Sequence, residues 1–177
     1  MRLTVHSLGA GGVEFWPPAP LPSPHALKVW QTLTAEFFTR AAAGRAVCLV
    51  TDAERASSLK YEKFLEVSLE TTIAGRKWLV GFTPQGTVAL FEAVVSSSEF
   101  YWDAVRLAFF TPQEIERLRA GFATIDVDQP ERASIEIISP FNDGCGVQWL
   151  HPNRDAATAF AWLQELAKAA GWQLVYA

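Results

Sequence analysis

The sequence predicts an α+β fold, a two-layer sandwich in which one mainly antiparallel sheet of about six to seven strands packs against four helices. Three observations point there. Short runs of alternating or continuous apolar residues, bounded by turn residues, recur along the chain and read as strands. Between some of them, apolar residues at three- and four-residue spacing carry capping residues at their ends and read as helices. Most connections are short enough only for hairpins, so parallel strand pairs should be few. At 177 residues, 1–177 reads as a single domain. Hydrophobic residues make up 50% of it, with 7 Trp and 12 Phe, enough to build a core without disulfide or metal support.

Leu3 and Val5 alternate with Thr4 and His6, which predicts a first strand. Gly9, Gly11 and Gly12 break it, and five prolines follow between Pro17 and Pro24, so 8–24 is expected to be a Gly/Pro-rich surface connector. The first helix is bracketed by Ser23 as its cap, Pro24 at the first helical position and Gly44 as its stop. Leu27, Trp30, Leu33, Phe37 and Ala41 share one face of it. Ala46–Thr51 is β-branched and uncharged and reads as a buried strand.

A central antiparallel meander is expected over 64–94. Leu65, Val67, Leu69, Thr71 and Ile73 alternate with Glu66, Ser68, Glu70 and Thr72, which favours a strand at 64–73 with one acidic face, after a helical turn near 53–59. Ala74-Gly75 and Pro84-Gln85-Gly86 read as turns leading into strands at 77–83 and 87–94.

Ser96-Ser97-Ser98-Glu99 has capping-box spacing and predicts a helix over 98–109, with Trp102, Val105 and Phe109 on one side. Thr111-Pro112-Gln113-Glu114 predicts another, ending near Gly121, with Phe110 and Ile115 as its hydrophobic staple. Strands at 133–139 and 145–150 flank the turn residues Asn142-Asp143-Gly144 and form a hairpin. Asn153 caps a last helix over 154–170, Gly171 stops it, and Trp172–Tyr176 closes as a strand.

Composition narrows the function classes. A net charge of −4 lacks the positive field that phosphate binding draws on, so nucleic acid is not expected as a partner. No apolar stretch is long enough to span a membrane, and the first residues lack the apolar core of a signal peptide. Cys48 and Cys145, with no CxxC spacing, fit two free thiols in a reducing compartment, and the cytoplasm is the expected location.

Motifs for catalysis are weak. Cys145 and His151, with Asp143 nearby, have the residue types of a thiol nucleophile and its base. An extended strand would hold the two about 20 Å apart, however, so no catalytic residue is assigned. His6, His25 and His151 lack metal-ligand spacing, and no metal is expected. The glycines at Gly9, Gly11 and Gly12 are followed by Pro17-Pro18 instead of the helix a dinucleotide loop needs, so no cofactor is expected.

Glu62, Glu66 and Glu70 are the candidate acidic binding residues; Trp16, Trp149 and Trp172 are the tryptophans least explained by helix faces, and Trp16 and Trp149 join the glutamates as candidates. These five residues make the first expectation a non-enzymatic protein-binding module, of the inhibitor, immunity-protein or adaptor kind, using an acidic, aromatic-bearing surface. The alternative is a small-molecule-binding or enzymatic domain whose pocket is assembled from residues distant in sequence. Either is compatible with a homodimer formed through an open sheet edge.

Overall fold

A computed structural model of the chain describes residues 1–9, 11–52, 61–73, 76–102, 105–111, 136–141, 143–151 and 156–177. Among these, nine strands form one sheet. They are β1 (Arg2–Ser7), β2 (Gly12–Trp16), β3 (Ala46–Asp52), β4 (Val67–Ile73), β5 (Arg76–Thr83), β6 (Val105–Phe110), β7 (Glu136–Phe141), β8 (Gly146–Leu150) and β9 (Gln173–Tyr176). Their spatial order is β4-β5-β3-β6-β7-β8-β2-β1-β9. Every neighbouring pair is antiparallel except β1 and β9, which run parallel. The helices are α1 (Pro24–Ala42), α2 (Val88–Val95), α3 (Ser98–Tyr101) and α4 (Ala156–Ala169). The α+β class and the mainly antiparallel sheet are as the sequence predicts, with more strands than expected.

The ends of α1 are set by local chemistry. Ser23 Oγ accepts from the Ala26 N–H at 3.1 Å, Pro24 begins the helix, and Gly44 at φ 75° turns the chain away. Its buried face, from Trp30 through Phe37 and Phe38 to Ala41, meets α2 on one side and α4 on the other. The β7–β8 hairpin closes through Asp143 and Gly144, at φ 56° and 67°, the two left-handed positions that a tight two-residue turn requires.

Alternate sheet residues separate into two faces. Leu3, Val5, Val13, Phe15, Val47, Leu49, Leu107, Ile138, Val147 and Trp149 share one apolar cluster with the helices. Ala46, Cys48, Val50, Val80, Ala108, Phe110 and Ile137 are buried but lie outside that cluster, on the opposite face. The centre of the sheet is therefore buried on both sides. Val80 pairs with Val50 on that second face, while Leu65 packs against the helix-side cluster.

Four expectations need correction. The third strand of the predicted meander, 87–94, is α2. Thr87 Oγ1 caps it by accepting from the Leu90 N–H at 3.2 Å, and Leu90, Phe91, Val94 and Val95 form its buried stripe. A short apolar run satisfies both periodicities, and here the cap decides between them. The helix predicted over 98–109 stops after one turn, and 105–110 is β6. Strand β6 lies between β3 and β7 and is buried on both faces, so its sequence shows no alternation. The connector expected over 8–24 contains β2, which pairs with both β1 and β8. Its Gly-rich start is the turn of the β1–β2 hairpin, closed by the Leu8 N–H on Gly12 O at 3.0 Å. Finally, the strand predicted from 64 starts at Val67, after a 3-10 turn at Glu62–Phe64. The helices expected at 53–59 and from 112 to 121 lie outside the described residues.

Candidate functional site

Three polar side chains converge at the end of β3. Strand alternation carries Val47, Leu49 and Thr51 to the helix-facing side, and Thr51 is buried there. Tyr61, just before the 3-10 turn, has no exposed surface and belongs to the core cluster. The segment that follows is laid over the same face, because Leu65 occupies the space left by the absent side chain of Gly81. Glu99 comes from α3, whose start is fixed by Ser97: its hydroxyl donates to Val94 O at 2.7 Å and accepts from the Phe100 N–H at 3.2 Å. Phe100 is buried as an anchor, and Glu99 is only 1% exposed.

The three groups act on one another. Burial raises the Tyr61 phenol above its ordinary range; the Thr51 hydroxyl, close enough to hydrogen-bond to it, opposes the shift, and the negative charge of Glu99 adds to it. Yet Tyr61 OH, Thr51 Oγ1 and both Glu99 carboxylate oxygens have no hydrogen-bond partner of full geometry. Buried polar groups are nearly always paired, and an isolated buried carboxylate is among the costliest groups to leave unmatched. The cluster therefore places one carboxylate and two hydroxyls in the interior without a full set of hydrogen-bond partners.

The chain neighbours of Tyr61 and Glu99 are exposed acid and aromatic groups. Glu62, next to Tyr61, is exposed. Tyr101 and Trp102, just beyond Glu99, are 54% and 55% exposed and meet edge to face at 5.0 Å. The β7–β8 turn supports them from below. A Cβ on Gly144 would fall 2.8 Å from Tyr101 Cα and 3.0 Å from Phe100 O, so the turn lies directly against the α3 backbone.

The residues singled out in the sequence do not form one patch. Glu62 and Glu66 are exposed, and the Glu66 N–H bonds to Phe82 O at 2.8 Å, toward the opposite end of the sheet from Thr51. Glu70 sits opposite Leu79 in the β4–β5 register. Trp16 is half-buried against Phe141, with ring centroids 6.1 Å apart. It lies on β2, six inter-strand steps or about 29 Å from β4. Trp149 is fully buried: its indole stacks on Trp162 at 5.5 Å and donates to Glu136 at 2.8 Å, so it serves the core and offers no surface. Cys145 and His151 stand at opposite ends of β8, His151 buried and Cys145 half-buried.

No protein-family model, curated protein or solved structure matches this chain.

Among the described residues, no group of three or more His, Cys, Asp and Glu side chains comes together, and no helix is long and apolar enough to cross a membrane. A furrow of about 260 Å³ between α1 and α4 has an apolar floor of Val29, Leu33 and Leu166, with Lys28 and Glu36 on its rim. Sequence reasoning missed Thr51, Tyr61, Glu99, Tyr101 and Trp102. Glu99 was assigned to a capping box and Trp102 to a helix face. Only tertiary structure brings positions 51, 61 and 99 together, and no local spacing signals it.

Proposed function

We propose that the protein is a non-enzymatic protein-binding module, of the inhibitor, immunity-protein or adaptor kind, acting in the cytoplasm. Its docking surface is the sheet end where Glu62, Tyr101 and Trp102 are exposed. The observation that carries this reading is the Tyr101–Trp102 pair, two large rings displayed to solvent on a turn braced by Gly144. Exposed Trp and Tyr side chains on a rigid support are the residues that most often dominate binding energy at interfaces. The exposed Glu62, next to Tyr61 in the chain, and the net charge of −4 would steer a basic partner. The free Cys48 and Cys145 support a reducing compartment.

The test is affinity capture of the tagged chain from its own cells, with Trp102→Ala and Glu62→Lys variants beside the wild type. A stoichiometric protein recovered by the wild type and lost with Trp102→Ala supports the reading. A partner retained equally by all three, or a small molecule recovered without any protein, rejects it.

A second reading, a small-molecule-binding domain, is favoured by one observation: the buried acceptor cluster of Thr51, Tyr61 and Glu99.

A further inference from the structure

We propose that the chain forms a two-fold dimer in which the β9 edge of one copy pairs antiparallel with the β9 edge of a second, with Val175 on the axis. Strand β9 ends the sheet, and among the described residues no strand lies beyond it. The Gln173 N–H donates to Met1 O at 2.8 Å and the Ala177 N–H to Val5 O at 2.9 Å, so the odd-numbered positions of this segment bond to β1. Strand alternation then turns the N–H and C=O of Leu174 and Tyr176 away from β1, to the open side.

That edge is complementary to itself. In an antiparallel pair centred on Val175, Leu174 lies opposite Tyr176 of the partner subunit, and the reverse contact is identical. Each such pair exchanges both of its N–H···O bonds, so every outward group of Leu174 and Tyr176 is matched. The side chains agree with the register. Leu174 is half-buried against the helix-side cluster. Tyr176 shares that face, 64% exposed, with its ring 5.5 Å from Phe160 of α4. The pairing sets Tyr176 of the partner subunit beside Leu174, so an exposed ring of one copy covers a half-buried aliphatic of the other. A two-fold axis perpendicular to the sheet keeps both helix layers on one side. On the other face Val175 meets its own counterpart, with Cα atoms about 4.5 Å apart.

The chemistry of the edge selects a second copy. From Trp172 to Ala177 no side chain is charged and none is proline, so the usual devices that stop an edge from pairing are absent. The opposite edge, β4, contains Glu70 and directly follows Glu66. Like charges brought together there oppose self-pairing. A β9–β9 contact also closes at two copies, whereas β9 on β4 would propagate into a filament. Because β9 has only four residues, the contact is small. The dimer should therefore form reversibly, at about 10–100 μM. The inference does not rest on the docking reading, since neither Glu62 nor Trp102 takes part.

The test is sedimentation of the full chain up to about 500 μM, well above that range, with amide hydrogen exchange at low and high concentration. The expected result is a monomer–dimer equilibrium in which the Leu174 and Tyr176 amides gain protection with concentration. The Val175 amide, already bonded to β1, should change little. Val175→Lys and Val175→Asp should each weaken self-association about tenfold or more, because like charges meet on the axis. An equimolar mixture of the two should recover a dimer. Tyr176→Pro removes an outward N–H and no bond to β1, and it carries the comparison if the charged variants do not fold. A chain that stays monomeric over the whole range overturns the proposal. So does a dimer unaffected by the variants, one that leaves both amides unprotected, or association that continues beyond two copies.

Discussion

The indole Nε1 of Trp149 and the carboxylate of Glu136 meet at 2.8 Å inside the core, on the same oxygen that Arg45 Nη2 reaches at 2.8 Å. Arg45 also donates to Ala41 O at the end of α1 and lies over the Phe109 ring, 5.2 Å from its centroid. One carboxylate thus ties together the C-terminus of α1, the inner faces of β6 and β7, and the aromatic stack on β8. Glu136→Gln should cost about 2–4 kcal/mol in urea unfolding, because it leaves a partly buried guanidinium short of its counter-charge. The double variant Arg45→Met, Glu136→Leu should cost less than the sum of the two single changes.

Burial pushes the Cys48 thiol up to about 12 from an ordinary 9.0. A group whose folded pKa is raised contributes stability that is complete below the unfolded value and declines as pH climbs toward the folded one. Between pH 9 and about 12 the wild type should therefore lose about 1.4 kcal/mol per pH unit through this thiol. Cys48→Ala should show a shallower decline over the same range. The buried Tyr61 adds to the loss above pH 10 in both proteins. At neutral pH a thiol reagent should modify the half-buried Cys145 readily and Cys48 only after unfolding.

Thr87 marks where a helix replaced an expected strand. Thr87→Ala should destabilise the protein by about 1 kcal/mol, the usual cost of losing an N-cap side chain. Thr87→Ser should retain most of that stability in the same denaturation experiment. A Ser variant as damaging as the Ala variant would show that the hydroxyl does not cap α2.

Gly144 sits at φ 67° against the backbone of Phe100 and Tyr101. Gly144→Ala meets both a strained dihedral and a backbone collision, so a cost of about 1–3 kcal/mol is expected. The same change should displace the Tyr101–Trp102 pair and alter the near-ultraviolet circular dichroism of those rings. Gly171→Ala, also left-handed at φ 69° but with open space around it, should cost less.

Legibility in the sequence followed the kind of signal available. Helix α1 was readable because Ser23, Pro24 and Gly44 punctuate it independently of packing. The β7–β8 hairpin was readable because Asp143-Gly144 imposes its own turn. Strand β6 was not, because full burial removes the polar residues that would reveal a period of two, and Trp102, Val105 and Phe109 happened to imitate a helical stripe. Strand β2 was hidden by flanking Gly and Pro residues that usually mark coil. The Thr51–Tyr61–Glu99 cluster was illegible for a different reason: each member looks ordinary among its neighbours in sequence, and its meaning arises only from burial beside the other two.

The β1–β2 hairpin is slotted between β8 and β9, with Arg2 facing Gln173 across the β1–β9 pair. Neither side of that hairpin can be satisfied until chain from the far end of the sequence arrives. Assembly of this half of the sheet is therefore governed by very long-range contacts, which favours slow folding. Until α4 has carried β9 into place, the early hairpin presents two bare edges, and that interval is when the protein is most exposed to misassociation.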